Sequence, residues 1–205
     1  MRIKTFQLGE LNANCYLVET APGRCVAIDI GGSPDRLMKL LNDRGLTLKA
    51  ILITHGHYDH VDGVEAVRAK TGAPVYIHEA DAEMLQSGQK NLAIHFTQKP
   101  FQPVKEYVTV QEGQTIRAAG LEFTVLHTPG HTPGGVCYKC GDALFTGDTL
   151  FCGGIGRIDL GGNRKDMLAS LQRLAALPYD AAVYPGHGES STLEDERRSN
   201  PYMGV

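Results

Sequence analysis

Four side chains of metal-ligand type fall within six residues of this 205-residue chain, in the order His55-x-His57-x-Asp59-His60. Imidazole and carboxylate are ligands that divalent first-row metals accept. The i, i+2 spacing lets His55 and His57 converge where a strand ends in a tight loop, and Gly56 eases the bend. Asp59 and His60 lie further round the turn and can face a second centre beside the first. A polar loop with a few surface histidines would also give this string. Against that, three of the chain's 8 histidines are gathered here, directly behind the apolar run Ala50-Ile51-Leu52-Ile53.

Three other segments repeat that context, each placing a polar residue just after an expected strand. Leu121–His127 runs into Thr128-Pro129-Gly130-His131, Leu144-Phe145-Thr146 into Gly147-Asp148, and Ala182-Val183-Tyr184 into Pro185-Gly186-His187. Each is flanked by glycine, which lets backbone approach a shared site closely. Ligands on strand ends from both halves of the chain would meet at one edge of a sandwich. The candidate metal ligands are therefore His55, His57, Asp59, His60, His131, Asp148 and His187.

The elements that must position them follow from periodicity. Strands are expected at Ile3–Leu8, Cys15–Glu19 and Arg24–Ile30, with turn residues between them. Ser33-Pro34 reads as an N-cap and first-turn proline for a helix ending near Gly45. Ala50–Ile53 has the composition of a strand buried on both faces. Helices follow at Val64–Lys70 and Glu79–Gln86, around a strand at Pro74–His78. Periodicity fades between Ser87 and Val104, an irregular excursion that could form a substrate lip. Strands resume at Tyr107–Val110, Gln114–Ala118, Leu121–His127, Gly135–Lys139 and Ala143–Thr146. A helix to Leu177, a last strand at Ala181–Tyr184 and a charged, helical tail complete the chain. The order describes an α/β chain of two similar halves without a linker, a single domain over 1–205.

These residues resemble the metal set of the metallo-β-lactamase superfamily. Their order and spacing are most similar to its glyoxalase II-like, or hydroxyacylglutathione hydrolase-like, branch. The resemblance spans nearly the whole chain and includes Asp29 in Ala27-Ile28-Asp29-Ile30-Gly31. It implies a four-layer αββα sandwich. It also implies that His55, His57 and His131 hold one divalent ion and Asp59, His60 and His187 a second, with Asp148 bridging. The implied ions are two Zn²⁺, with Fe or Mn as alternatives, and Asp59 and Asp148 are the carboxylates at the reacting centre. Two dications sharing a water lower its pKa from 15.7 toward ~7, giving hydroxide that attacks an acyl carbonyl. A thioester suits such a site, because a thiolate (conjugate acid pKa about 8.5) departs without a proton donor. The resemblance thus implies a hydrolase of acyl thioesters, S-lactoylglutathione or a related thiol ester. The alternatives are a mononuclear iron persulfide dioxygenase and, in another class, a non-catalytic metal-binding protein on the same scaffold. The chain ends shortly after His187, without the helical extension that contacts glutathione in classical members. Its Phe151–Asp159 loop is similar to the Gly-rich, Arg-Asp loop of short bacterial members.

Arg157 and Tyr58 are the candidate substrate contacts, with Arg164 a further cation nearby. Cys137-x-x-Cys140 lies in an expected strand with no second pair, which argues against a zinc knuckle. Cys15 and Cys25 read as buried fillers, and Cys152 has no assigned role. His78 and His127 read as structural, His95 as solvent-facing, and Glu194–Arg198 as a solvated helix face. A formal net charge of −3 argues against nucleic acid or anionic lipid as partner. No apolar stretch approaches the ~20 residues of a membrane span. The 5 cysteines, an odd number without regular framing, point to free thiols and a cytoplasmic setting.

Overall fold

The computed structural model describes residues 1–204. Each half opens with antiparallel strands and continues through a helical crossover into a parallel one. In the first half β1 (Arg2–Leu8), β2 (Ala13–Thr20) and β3 (Arg24–Ile28) pair antiparallel. Helix α1 (Pro34–Asp43) leads to β4 (Thr47–Leu52), parallel to β3. Helices α2 (Tyr58–Val61) and α3 (Val64–Thr71) then lead to β5 (Val75–His78). A 3₁₀ helix over Glu79–Gln86 and the short α4 (Ala93–Phe96) precede β6 (Val108–Val110). In the second half β7 (Thr115–Ala118), β8 (Leu121–His127), β9 (Val136–Cys140) and β10 (Ala143–Gly147) are antiparallel. Helix α5 (Arg164–Ala175) crosses to β11 (Ala182–Pro185), parallel to β10, and β12 (Ser191–Thr192) and α6 (Leu193–Ser199) follow. Both sheets have six strands in sequential order, β1 to β6 and β7 to β12.

Period-2 alternation assigns the layers. Ala27, Ile51 and Ile53 face outward under Leu37 and Leu41 of α1 and Val64 and Val67 of α3. Their neighbours Val26, Ile28, Ala50 and Leu52 face inward against Phe123, Val125, Tyr138 and Phe145 of the second sheet. On its far face Cys137, Leu144 and Val183 pack under Met167, Leu171 and Leu174 of α5. This is the αββα sandwich. The C-terminal part of β4, from Ala50, is an unbroken apolar run because one face meets a helix and the other a sheet. Each large aliphatic side chain buried this way contributes roughly 1.5–3 kcal/mol. Cys137 and Cys140 point to opposite faces of β9, one under α5 and one between the sheets, so they form no pair.

Several local expectations change. Ser33 sits at φ +47° and its side chain makes no capping bond; the start of α1 rests on Pro34. The third strand stops at Ile28 because Asp29 turns into the left-handed region at φ +53°. Glu79–Gln86 is wound as a 3₁₀ helix. Glu196, expected on a solvated face, is buried and accepts from the Gly153 N–H at 2.9 Å and Asn200 Nδ2 at 2.7 Å. It thereby anchors the loop that carries Phe151. Among the described residues no helix is long and apolar enough to cross a membrane.

Candidate metal centre

All seven candidate ligands meet at one edge of the sandwich, beyond the C-terminal ends of β4, β8, β10 and β11. His55 leaves β4 directly, His57 precedes α2, and Asp59 and His60 lie in α2 itself. One donor atom each from His55, His57 and His131 lies within 4.8 Å of the others. The same holds for His55, His60 and Asp148, and for Asp59, His60 and His187. Nitrogen faces nitrogen between His57 Nδ1 and His131 Nε2 at 2.8 Å and between His60 Nε2 and His187 Nε2 at 3.3 Å. Asp148 lies between the groups, with Oδ1 3.4 Å from His60 Nε2 and Oδ2 3.6 Å from His131 Nε2 and 3.8 Å from His187 Nε2.

The donor set fits divalent cations by a test internal to the structure. His55 Nε2 and Asp148 Oδ1 are buried and have no hydrogen-bond partner, a costly state unless something binds there. Clustered imidazoles with converging nitrogens are likewise explained by a cation and by little else.

Neighbouring groups fix which nitrogen each ring presents. Asp29, buried, accepts from the Thr54 N–H at 2.8 Å and the Thr54 hydroxyl at 2.7 Å. It also lies 2.8 Å from His60 Nδ1, leaving Nε2 to face the cluster. The Arg157 carbonyl accepts from His131 Nδ1 at 2.6 Å, so that ring also presents Nε2. Such partners orient the ligands and raise their basicity. Asp81, absent from the sequence-based candidates, is fully buried in the 3₁₀ helix. It accepts from the Gly56 N–H at 3.0 Å, the Thr132 hydroxyl at 2.7 Å and the Gly134 N–H at 2.7 Å. One carboxylate thus ties the loop carrying His55 and His57 to the loop carrying His131.

Two glycines are required by crowding. A Cβ on Gly186 would lie 2.0 Å from Asp148 Oδ1 and 2.7 Å from His60 Cε1. Gly147 has φ +49°, and a Cβ there would lie 2.5 Å from Thr54 Oγ1. The close backbone approach expected from the flanking glycines is observed at both.

Charge is distributed unevenly across the cluster. Burial, reinforced by the neighbouring imidazoles, holds His55 far below its ordinary range and His57 at about 3, so both rings are neutral. Burial also disfavours the charged form of His60, but Asp59, Asp148 and Asp29 outweigh it and carry the ring up to about 10. Burial acts against ionisation of Asp59 too, and His60 and His187 overcome it, holding this carboxyl well below its usual range. At neutral pH, below its folded pKa, His60 therefore carries a proton in the cation-free protein. A cation bound beside Asp59, His60 and His187 must displace that proton. Its affinity should rise with pH, whereas His55 and His57, already neutral, release no proton on binding. Zinc titration of cation-free protein in buffers of different ionisation enthalpy should show one binding step releasing about one proton more than the other; equal release in both steps would contradict this charge distribution.

A cavity of about 460 Å³ opens beside the cluster, with His57, Asp59, His131, Asp148 and His187 in its wall. Tyr58 and Arg157 also line it. The Arg157 guanidinium, however, donates to Asp159 through Nε at 2.7 Å and Nη2 at 2.6 Å. The 87–104 excursion contributes Asn91, Leu92 and Phe96, so it does form one lip. His95 is exposed. His78 and His127 lie outside the cluster and stack on each other at 4.0 Å. Cys152 is exposed, and Arg164 does not line this cavity.

Fold and site together define a two-sheet αββα sandwich with a His/Asp cradle at its strand ends. The chain belongs to the metallo-beta-lactamase superfamily, whose family model matches residues 8–187. Hydroxyacylglutathione hydrolase GloC of Haemophilus influenzae is 32% identical over 99% of this chain and 98% of its own. The crystal structure of BLEG-1 B3 metallo-beta-lactamase superposes with a TM-score of 0.91 at 34% identity, covering 100% of both chains. That of TTHA1623 in a di-iron-bound form gives 0.87 at 40% identity, covering 97% of this chain and 99% of the other. The family and the cluster together imply a metal-dependent hydrolase that uses divalent metals.

Proposed function

We propose that the chain hydrolyses acyl thioesters with two divalent cations, zinc being the expected pair. His55, His57 and His131 would hold one ion and Asp59, His60 and His187 the other, with the Asp148 carboxylate between them. Such ions lower the pKa of water and polarise an acyl carbonyl. Asp29 and the Arg157 carbonyl keep Nε2 of His60 and of His131 turned into the cradle. Tyr58 and Asn91 close one side of the cavity, and the Tyr58 N–H donates to the Asn91 carbonyl at 2.8 Å.

The observation that carries the thioester reading is the make-up of the cavity wall. Every His and Asp side chain in it is a candidate ligand, its one cation, Arg157, is engaged by Asp159, and its one phenol, Tyr58, is pushed up by burial and so is a weaker acid than a free tyrosine. An amine leaving group would need a proton donor beside its nitrogen. A thiolate needs none, because its conjugate acid has a pKa near 8.5. The likeness to GloC supports the same chemistry. Zinc-loaded protein should hydrolyse at least one member of a panel of acyl thioesters that includes S-lactoylglutathione. No turnover across the panel would refute the reading.

A further inference from the structure

The wall beyond the candidate ligands is apolar to a degree that the hydrolysis of a small polar acyl group does not require. Leu11 comes from the β1–β2 turn, Leu92 and Phe96 from the 87–104 excursion, and Phe151, Ile155 and Leu160 from the loop after β10. Three separate segments thus supply apolar side chains to one opening. Leu11 and Phe96 are large hydrophobics left 40% and 42% exposed, a costly arrangement unless something covers them. Charge points the same way. Arg157 is the only basic side chain in the wall apart from the candidate histidine ligands. Its Nε and Nη2 are on Asp159, whose carboxylate offsets the charge it presents to an anionic substrate arm. Tyr58 and Asn91 are the wall's uncharged polar side chains; Asn91 is fully buried, its Oδ1 accepts from the Ala93 N–H at 3.0 Å, and its Nδ2 has no partner.

We infer that this cavity binds an uncharged, apolar group, and that the preferred substrates are thioesters of apolar acyl chains on an uncharged thiol arm. The inference rests on the thioester reading for the identity of the reaction, and on the wall alone for the chemistry of what is bound. A carboxylate-bearing thiol arm such as glutathione has to compete with Asp159 for the one arginine in this wall. An alkyl or aryl acyl chain covers Leu11, Phe96 and Phe151. Burying one methylene is worth roughly 0.8 kcal/mol, or about 4-fold in affinity, until the cavity is filled.

Two measurements on the full-length, zinc-loaded protein test this. The first is calorimetric binding of S-ethyl and S-hexyl N-acetylcysteamine and of S-hexylglutathione, thioethers that cannot be hydrolysed. The S-hexyl compound on the neutral arm should bind at least ~10-fold more tightly than the S-ethyl one, and more tightly than S-hexylglutathione. Phe96→Ser and, separately, Leu11→Ser should each shrink the hexyl-to-ethyl ratio; both positions are partly exposed, so folding is not at stake. The second is kcat/KM for acetyl, hexanoyl and lactoyl thioesters of the same arm, where hexanoyl should lead. Equal binding of ethyl and hexyl, or tighter binding of the glutathione compound, overturns the inference. Hydrolysis of thioesters without chain-length preference overturns it while leaving the thioester reading intact. Tight hexyl binding with no thioester turnover upholds the apolar site and refutes the thioester reading.

Discussion

Asp148→Asn should leave the fold intact and lower turnover by at least ~10²-fold, the scale of losing a principal electrostatic stabiliser. The Asp148 oxygens face imidazoles of both candidate groups. Its negative charge offsets the repulsion of two neighbouring dications. Asparagine keeps the size and one acceptor oxygen, but it removes that charge and turns an amide nitrogen, a poor ligand, toward one ion. The substitution sits at the end of β10 and removes no apolar packing, so the loss should be chemical. Circular dichroism and thermal melting should match wild type, while the metal-to-protein ratio and turnover fall together. A variant that binds two ions and stays active would show that Asp148 does not bridge.

Alanine at His60 or His187 should empty mainly one cation position, and alanine at His55 or His131 mainly the other. Each should remove most of the activity if both ions are needed. His60 is the more severe of its pair, because it is fully buried and held by Asp29. His60→Ala leaves the Asp29 carboxylate without one of its partners in a dry environment, which costs roughly 1–3 kcal/mol. His187 is more open, with its side chain 28% exposed, so His187→Ala separates the loss of an ion from any loss of stability. Metal analysis of the four variants, read beside their turnover, checks the assignment. Normal turnover in His60→Ala and His187→Ala would favour a single-ion mechanism, such as that of an iron dioxygenase, over the two-ion one.

The seven candidate ligands were legible because their signal is local. Four fall in one short string behind the β4 run, and the others each follow a strand and touch a glycine. The layering was legible for a similar reason: the unbroken apolar run at Ala50–Ile53 has the composition of a strand with cover on both faces. What escaped the sequence reading acts through position instead of residue type. Asp81 is one acid among several in a short polar segment, and nothing nearby in sequence marks it as the tie between two ligand loops. The residue type of Arg157 points to its guanidinium, yet the structure uses its carbonyl to orient His131 and gives the guanidinium to Asp159. Backbone acceptors leave no trace in residue identity. Glu196 looked like any exposed charge in a charged helix, and only the fold brings the Gly153 N–H to it. The helical pattern at Glu79–Gln86 was real, but periodicity over so short a segment does not separate an α-helix from a 3₁₀ helix.

The most direct test of the central claim is a titration of cation-free protein with zinc, followed by thioester hydrolysis and by the number of ions bound. The two-ion account predicts that activity climbs until two equivalents are bound and then levels. Full activity at one equivalent, or tight binding of two without hydrolysis of any thioester, would contradict it.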